Sequence, residues 1–323
     1  MKKYDVVALG ELLIDFTQNG KSEQGNGLFE ANPGGAPCNV LAMLSKLGHK
    51  TAFIGKVGKD SFGKELKSVL EEVGIDSEYL YMDEEVHTTL ALVHTYSDGD
   101  REFSFYRNPG ADMMLTEEEI PEELIQESKV FHFGTISMTH EGVRAATKKA
   151  LDIAKKSGAV ISFDPNLRPP LWDSLENAKE QVLYGMGFCD ILKISDNEIQ
   201  WLTGKEDYTD GVNWILEKFD IPLILVSMGK EGSRAYYKGN MVEALPFLQK
   251  NTIETTGAGD TFAGCVLHYI CEHGLWDLSQ DNLKEVLSFA NAAAAFITTK
   301  KGALRVMPSL EEIENILKDS HES

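Results

Sequence analysis

Short apolar runs alternate with amphipathic stretches along most of the chain. The runs at residues 4–9, 160–163 and 221–227 are almost wholly apolar, and each stops at a glycine, an aspartate or a serine followed closely by glycine. Such runs are typical of strands buried on both faces of a parallel sheet. Between two of these strands, residues 61–73 show helical periodicity. The alternation predicts an α/β fold, with a mostly parallel central sheet flanked by helices.

Other stretches predict further elements of the same kind. An extended segment is predicted at residues 251–253, directly before a glycine-rich turn. Phe262, Val266 and Ile270 then recur every four residues until Gly274, which predicts a helix. Further strands are predicted at 129–133 and 190–195, and further helices at 40–48, 139–156, 289–295 and 309–318.

One part of the chain contains only strand signals. Residues 88–96 and 101–106 flank the turn at 97–100, whose Asp-Gly pair predicts a hairpin. The polar, glycine-rich residues 16–33 predict a second small hairpin. We expect segments 16–33 and 86–110 to form a small β-sheet lid that excludes water from a site. Its exposed edges make a homodimer through the lid plausible.

Composition bounds the domain count and the partners. The 323 residues, of which 42% are hydrophobic, suit one α/β domain over residues 1–318, with a polar tail at 319–323. A formal charge of −20 argues against nucleic acid and anionic membranes as partners. Four cysteines without metal spacing predict reduced thiols. No signal peptide or membrane span is recognisable, so we expect a cytoplasmic protein.

The residues at 254–262 indicate an anion site. Gly257 and Gly259 let successive backbone N–H groups point one way at the predicted start of a helix, where a phosphate is stabilised. Asp260 would repel that phosphate unless it has a task, such as accepting a proton from an incoming hydroxyl. The dinucleotide-binding pattern GxGxxG and the P-loop pattern GxxxxGKS/T do not occur in the sequence, which excludes both of these phosphate-binding motifs.

Polar groups that suit a polyol occur near the amino end of the chain. The apolar run of the first strand is expected to continue past Gly10 through residues 12–14 to Asp15, where an α/β sheet places ligand-binding groups. Gly34 and Gly35 allow a close approach of the backbone, and Asn39 offers a donor and an acceptor at a helix start. Asp15 as a turn or cap residue is the competing interpretation.

Two further loops carry candidate ligand contacts. The strand at 160–163 delivers Asp164, Asn166 and Arg168 to the carboxyl edge of the sheet, in a loop stiffened by prolines. Arg168 is the best candidate for a cation that stabilises transferred phosphate, with a structural salt bridge as the alternative. In the lid, Phe103 and Phe105 share one face and Arg107 follows them. Sheet packing is the alternative for the two aromatic residues.

The motifs together resemble the ribokinase family of sugar kinases. Residues 254–260 resemble its C-terminal signature, although Glu254 stands where Asp is usual, and residues 34–39 resemble its N-terminal signature. Ala36 replaces the Lys of ribokinases proper. Residues 101–112 and 164–172 resemble the fructokinase branch. The resemblance spans nearly the whole chain and implies a ribokinase-like fold and ATP-dependent phosphorylation of D-fructose at its 6-hydroxyl.

The resemblance also implies roles for individual residues. Asp260 would be the base, and the backbone of Gly257, Ala258 and Gly259 with Arg168 would hold the developing charge. The sugar would contact Asp15, Gly34, Gly35, Asn39, Phe103, Phe105, Arg107, Asn166 and Asp260. ATP would contact Lys193, Ser227, Gly229, Gly232, Gly257, Gly259 and Asn291.

The metal-binding positions of the family are only partly matched in this sequence. Glu198 matches the position that helps to hold Mg²⁺ through water, while an acid in a helix first turn is an equally good explanation. The monovalent-cation site of the family corresponds to Glu254, Gly302 and Val306. Glu in place of Asp, and Val306 where Ser is frequent, argue against potassium activation.

Two alternatives to a fructokinase remain open. A kinase of a sugar acid such as 2-keto-3-deoxygluconate would share the glycine pair and the loop at 164–168, with Arg107 as the cation for the carboxylate. A sensor that binds sugar or nucleotide without chemistry is the second alternative. The presence of Asp260 and the glycine turn argues against that sensor.

Overall fold

The computed structural model describes residues 2–95 and 101–319, which form two β-sheets and ten α-helices. The strands are β1 (Tyr4–Leu9), β2 (Leu13–Lys21), β3 (Gly27–Gly34), β4 (Thr51–Gly58), β5 (Ile75–Asp76), β6 (Leu80–Asp83), β7 (Leu90–Thr95), β8 (Arg101–Tyr106), β9 (Ser128–Gly134), β10 (Val160–Asp164), β11 (Ile191–Ser195), β12 (Leu223–Ser227), β13 (Ser233–Tyr237) and β14 (Asn240–Ala244). The helices are α1 (Ala36–Lys46), α2 (Ser61–Glu72), α3 (Glu122–Gln126), α4 (Glu141–Ser157), α5 (Leu175–Met186), α6 (Asp196–Thr203), α7 (Tyr208–Leu216), α8 (Ala258–His273), α9 (Gln280–Ile297) and α10 (Leu310–Asp319).

The central sheet has the strand order β14-β13-β12-β11-β10-β9-β1-β4-β5, and β6 pairs with β4. Neighbours from β12 to β5 are parallel, and within the described chain antiparallel pairing in this sheet is confined to β13, which pairs with β12 and β14. From β1 the chain crosses to β4 on one side, whereas β9 to β12 extend on the other. The strand order therefore reverses beside β1, which is where open α/β sheets form a ligand crevice at their carboxyl ends.

Apolar side chains fill the layers on both faces of this sheet. Val6 and Phe53 belong to the cluster that α1, α8 and α9 cover, while Val7 and Phe163 belong to the cluster beneath α4 and α5. The alternation of Val6 and Val7 between the two clusters follows from the period of two along a strand. It explains why the strands are apolar along most of their length.

The second sheet has the order β3-β2-β7-β8. The predicted hairpin at 16–33 is present and longer, since β2 and β3 together extend from Leu13 to Gly34. The sheet is not wholly antiparallel, because β2 and β7 pair in parallel. The predicted turn at 97–100 and the polar end at 320–323 lie outside the described residues. We refer to this four-stranded sheet as the lid sheet.

Several predicted boundaries were wrong. The apolar run that we expected to continue from Leu9 to Asp15 breaks at residues 10–12, and Leu13 already belongs to the lid sheet. Helix α1 begins at Ala36 rather than residue 40, because Pro37 suits the first turn of a helix. Residues 251–253 form no strand and lie in a loop. The hairpin of β13 and β14 was not predicted.

The four cysteines form no disulfide with one another. Among the described helices, none combines the length and the apolar character needed to cross a bilayer.

Candidate active site

Most of the predicted sugar-side residues meet in one cavity of about 330 Å³ at the carboxyl edge of the central sheet, below the lid sheet. We refer to it as the sugar-side cavity. Its lining includes Asp15, Gly35, Asn39, Phe105, Asn166, Arg168, Lys193, Gly257, Gly259 and Asp260. These residues come from distant parts of the chain, and they meet because strands of the central sheet end, and helices α1 and α8 begin, at the same edge.

Asp260 lies in the first turn of α8 and is 9% exposed. The helix begins after Gly257, whose φ of 75° lies in the left-handed region that glycine tolerates. The pKa of Asp260 is raised to about 6, mainly by burial and also by the charge of Asp164, whereas Asn39, Lys193 and Arg168 act in the opposite direction. A carboxylate with this pKa is charged at neutral pH and accepts a proton more readily than an exposed aspartate.

Asn39 joins the two glycine motifs. Its Nδ2 donates to Oδ2 of Asp260 over 2.7 Å, although the residues are 221 positions apart. Asn39 is 4% exposed, and its Oδ1 has no hydrogen-bond partner among the described residues. Since an unpaired buried acceptor costs about 1–3 kcal/mol, a donor from a ligand would be well stabilised there. A sugar hydroxyl fits that requirement.

Two further carboxyl groups line the sugar-side cavity. Burial raises the pKa of Asp15 to about 7, against the opposing effect of Arg168. An added Cβ at Gly34 would lie 2.5 Å from Oδ2 of Asp15, so glycine leaves the room that this carboxyl group occupies. The prediction missed Glu11, which is 3% exposed and accepts from the backbone N–H of Ala36 over 2.9 Å. Its signal was a single charge within the apolar run from residue 6 to 14.

The loop after β10 supplies Asn166 and Arg168. Asn166 adopts a φ of 45°, which asparagine tolerates better than most residues. Arg168 donates from Nη1 to the carbonyls of Asn166 and Leu167 over 3.5 and 3.2 Å, and within the described chain no carboxylate forms an ion pair with it. The structural salt bridge considered for Arg168 is therefore absent there, and its charge faces a cavity lined by carboxyl groups.

Glu198 fixes that loop from the neighbouring helix. Its Oε1 accepts from the backbone N–H of Leu167 over 2.7 Å, and its Oε2 accepts from the backbone and hydroxyl of Ser195 over 2.8 Å each. Glu198 thus closes the capping box of α6 and also positions the backbone next to Arg168. The helix-start interpretation of Glu198 is realised in the structure, and a water-mediated metal contact stays a prediction.

Lys193 pairs with Asp164 in the floor of the site. The Nζ–Oδ2 distance is 2.8 Å, and the two side chains are 9% and 3% exposed. Burial lowers the pKa of Lys193, but the charges of Asp164 and Glu198 outweigh burial and raise it above its usual value. An added Cβ on Gly259 would lie 2.9 Å from Nζ of Lys193. The ammonium group therefore lies against the glycine turn.

A second cavity, of about 480 Å³, adjoins the first. Asn166, Arg168 and Lys193 line both cavities, and Ser195 and Glu198 line only the second. Glu198 is the single carboxylate among the residues that line it. We refer to this space as the phosphate-side cavity, because the two shared cations face it.

The predicted nucleotide residues continue along the same edge of the sheet. Ser227 is the partner of Ser195 in the pairing of β12 with β11. Gly229, with a φ of 53°, has open space where a Cβ would be, so a ligand can approach its backbone. At Gly232 a Cβ would lie 2.2 Å from the carbonyl oxygen of Ala244, so packing of the protein itself requires this glycine.

Asn291 has a structural role. Its Oδ1 accepts from the Ser233 hydroxyl over 2.9 Å, and its Nδ2 donates to the carbonyls of Ala244 and Leu245 over 3.2 and 3.0 Å. The amide thereby fastens α9 to the end of β14. The prediction of a nucleotide contact from this amide is not supported by these bonds, because its donors are already used.

Three other predicted site residues need correction or restriction. Arg107 does not line the sugar-side cavity, since its side chain is 2% exposed and pairs with Asp112 over 2.7 Å. Ala258 does not line the cavity either, and its N–H donates to the carbonyl of Thr255. Phe105 lines the cavity as expected, while the side chain of Phe103 lies outside the described residues.

Two plant proteins match the chain over almost its whole length. The chain is 42% identical over 315 residues to "Probable fructokinase-2" of Arabidopsis thaliana, covering 97% of this chain and 95% of that protein. It is also 42% identical over 314 residues to "Fructokinase-1" of Zea mays, covering 97% of each chain.

Solved structures match over almost the full length. A fructokinase from Xylella fastidiosa with bound ATP superposes with a TM-score of 0.90 at 28% identity, covering 99% of this chain and 100% of that one. A fructokinase double mutant from Vibrio cholerae O395 with fructose, ADP and potassium ion superposes with a TM-score of 0.88 at 29% identity, covering 98% and 99%.

The corresponding family model is described as the pfkB family carbohydrate kinase and matches residues 3–310. This match covers nearly the whole chain, and the plant and bacterial fructokinases match over the same length. The chain therefore belongs to the pfkB family of carbohydrate kinases.

Proposed function

We propose that this protein transfers the γ-phosphoryl group of ATP to the 6-hydroxyl of D-fructose. The observation that carries the proposal is the meeting of Asp260, Asn39 and Arg168 in one cavity at the glycine turn that begins α8. The names of the plant and bacterial relatives support fructose as the acceptor. The bound ATP of one solved relative supports ATP as the donor.

The sugar occupies the sugar-side cavity in this proposal. Asp15 accepts hydrogen bonds from sugar hydroxyls, because the described residues give its carboxyl group no hydrogen-bond donor. Asn39 accepts another through its unpaired Oδ1. Gly35 permits the backbone to approach the sugar, and Phe105 covers it from the lid sheet. Glu11 joins this set as a polar wall that the sequence motifs did not indicate.

Asp260 orients the 6-hydroxyl and receives its proton. As the sugar oxygen forms its bond to phosphorus, the bond from phosphorus to the leaving ADP oxygen breaks, and the hydroxyl proton moves to the carboxylate of Asp260. With a pKa of about 6, Asp260 is a stronger base than an ordinary aspartate. Alignment of the hydroxyl still contributes most, since the transition state of phosphoryl transfer is loose.

Charge on the transferred group is held by the glycine turn and two cations. The first turn of α8 presents N–H groups that have no acceptor within the helix, and Gly257 and Gly259 leave them accessible. Arg168 and Lys193 line both cavities and therefore lie along the path of transfer. Preorganised donors of this kind stabilise developing charge without rearrangement.

The nucleotide extends from the phosphate-side cavity along Ser227 to the open backbone at Gly229. Beyond it, Leu245 and Leu248 are 74% and 70% exposed, and Leu245 lies next to Gly232. This apolar surface suits an adenine base. Asn291 supports it by holding the Leu245 carbonyl rather than by touching the base.

Magnesium fits the phosphate-side cavity through Glu198. Mg²⁺ usually keeps several waters and uses one or two carboxylates together with substrate phosphates, and Glu198 is the carboxylate that lines this space. When bound, the ion neutralises phosphate charge. Glu198 would hold the ion through water, and it also keeps the backbone of Leu167 in place.

The structure does not support Arg107 as the cation that would bind the carboxylate of a sugar acid. Arg107 is paired with Asp112 and also donates to the Ile136 carbonyl and the Thr139 hydroxyl, so it offers no charge to a substrate carboxylate.

A homodimer through the lid sheet stays a prediction, for which light scattering at several concentrations is the test.

Turnover on a panel of sugars tests the proposal. ADP release would be measured with fructose, glucose, ribose, tagatose and 2-keto-3-deoxygluconate, in the wild type and in Asp260→Asn. We expect the highest kcat/KM with fructose and a loss of most turnover in the variant. Sugar affinity and melting temperature should stay near those of the wild type, because an asparagine oxygen can still accept from Asn39.

Three outcomes separate the possible functions. Turnover retained in Asp260→Asn would remove Asp260 from the role of base. Turnover restricted to the keto acid would contradict fructose and would require Arg168 or Lys193 to bind its carboxylate. Binding of sugar without turnover on any acceptor would favour the sensor.

A further inference from the structure

Two histidines and a glutamate form a cluster at the opposite edge of the central sheet. His49 lies just before β4, and β4 and β1 begin at this edge, whereas the sugar-side cavity is at their carboxyl ends. His268 and Glu272 are one turn apart on α8, so their side chains lie on one face of the helix. The cluster is separate from the proposed kinase site, so its chemistry is independent of the proposed sugar phosphorylation.

The donor atoms of this cluster converge. Nε2 of His49 lies 2.7 Å from Nδ1 of His268, and Nε2 of His268 lies 3.8 Å from Oε2 of Glu272. One ligand atom from each residue can be chosen so that all three lie within 4.8 Å of one another. The two histidine side chains are 10% and 19% exposed, while that of Glu272 is 51% exposed. The two histidine side chains are thus held by packing, whereas the side chain of Glu272 can move.

The contact between the two imidazoles holds one proton, which a metal ion would have to displace to bind both rings. Two ring nitrogens at hydrogen-bond distance share one proton, so at least one ring presents an unprotonated nitrogen to the other. On its far side, Nδ1 of His49 lies 3.5 Å from Oδ2 of Asp5. Asp5 is itself fixed by Lys129 over 2.7 Å and by the backbone N–H of Lys50 over 2.9 Å. A carboxylate behind an imidazole orients that ring in many metal sites.

We propose that His49, His268 and Glu272 bind a zinc ion, with solvent at the fourth position. Two imidazoles and a carboxylate suit Zn²⁺, and Mg²⁺ prefers a set of oxygen ligands. Ligand atoms about 2.0–2.1 Å from a tetrahedral ion are roughly 3.4 Å apart. With His268 binding through Nδ1, which faces His49, the two histidine nitrogens must separate slightly. The carboxylate of Glu272 must then move from the Nε2 side of the His268 ring toward Nδ1, which its exposed side chain permits.

A bound ion would link two segments that are far apart in sequence. It would join the C-terminal half of α8 to the segment between α1 and β4. Because α8 begins at the glycine turn, this link braces the far end of the helix that carries Asp260. We expect the effect in stability, since the cluster contacts neither of the two cavities.

Zinc binding can be measured directly on the full-length chain. Bound metal would first be removed with a chelator, and the chelator would then be removed. The protein would be titrated with Zn²⁺ by calorimetry in the presence of excess Mg²⁺. A separate titration would use Co²⁺ as a spectroscopic probe. We expect one ion per chain and a visible Co²⁺ absorption typical of four-coordination. At about 100 times the dissociation constant, zinc should raise the melting temperature by a few degrees.

Variants decide between a metal site and a simple histidine contact. His268→Gln keeps much of the side-chain volume and should abolish the one-ion binding, and Glu272→Gln should weaken it by about tenfold or more. His273→Gln is the matched control, because His273 lies 3.8 Å from Glu272 but is exposed and outside the cluster. If His268→Gln fails to fold, the exposed Glu272→Gln carries the test. Absence of saturable binding, or equal affinity in the wild type and Glu272→Gln, would overturn the proposal.

Discussion

Asn39 should set the pKa of the proposed base, and this can be tested through the pH dependence of turnover. Its Nδ2 donates over 2.7 Å to the carboxylate of Asp260, and both residues are almost fully buried. The hydrogen bond from Asn39 stabilises the charged form of Asp260. Asn39→Ala removes this donor. The pKa of Asp260, about 6 in the wild type, should therefore rise.

The size of the change follows from the strength of the bond. A hydrogen bond to a charged group contributes about 1.5–3 kcal/mol, and one to a neutral group about 0.5–1.5 kcal/mol. The difference of about 1.4 kcal/mol corresponds to roughly one pKa unit. Below its pKa Asp260 is protonated and cannot accept the hydroxyl proton, so kcat/KM falls on the acid side. The acid limb of Asn39→Ala should lie about one unit above that of the wild type.

The assay is kcat/KM for fructose between about pH 5 and 9. Loss of the sugar contact at Oδ1 should lower the plateau by about tenfold or more at every pH. Near pH 6 the pKa shift should add a further loss of about fivefold. Only the second effect depends on pH, so the shape of the profile separates the two roles of Asn39.

Cys38→Ala is the control, because Cys38 is the preceding residue of α1 and is fully buried. It should alter packing without moving the acid limb. An Asn39→Ala profile with a lower plateau but the wild-type acid limb would refute the claim that Asn39 controls the pKa of Asp260. An equal shift in Cys38→Ala would assign the effect to packing.

Two further substitutions test the cations of the site. Lys193→Met leaves Asp164 buried without its partner and should lower the free energy of unfolding by about 3–5 kcal/mol, measured by denaturant unfolding. The double variant Lys193→Met/Asp164→Asn should recover much of that loss, and the absence of any recovery would contradict the pairing. Arg168→Gln should lower kcat by about 100-fold or more. Its melting temperature should hardly change, because among the described residues Arg168 donates only to two nearby carbonyls. A similar kcat loss in the exposed control Arg305→Gln would show that the effect is unspecific.

The α/β class and the parallel order of the main strands could be predicted because they follow from local pattern. A strand buried on both faces is apolar at nearly every position, and β1, β10 and β12 fit that description. The glycine turn before α8 was also visible, since glycine is the residue that best suits the left-handed backbone at residue 257. By contrast, the boundary between β1 and β2 was hidden, because one apolar run serves two sheets.

At the site, the order of amino acids fixes which side chains are available, whereas the packing of the elements selects which of them come into contact. Asp15, Asn39 and Asp260 share a cavity because β2, α1 and α8 converge there, and the raised pKa values of the two aspartates come from burial and neighbouring charge, which no single segment encodes. The same packing turned Arg107 away toward Asp112 and used the amide of Asn291 to hold β14. Motif spacing cannot predict such pairings, because a polar side chain satisfies whichever partner the fold brings within hydrogen-bond distance.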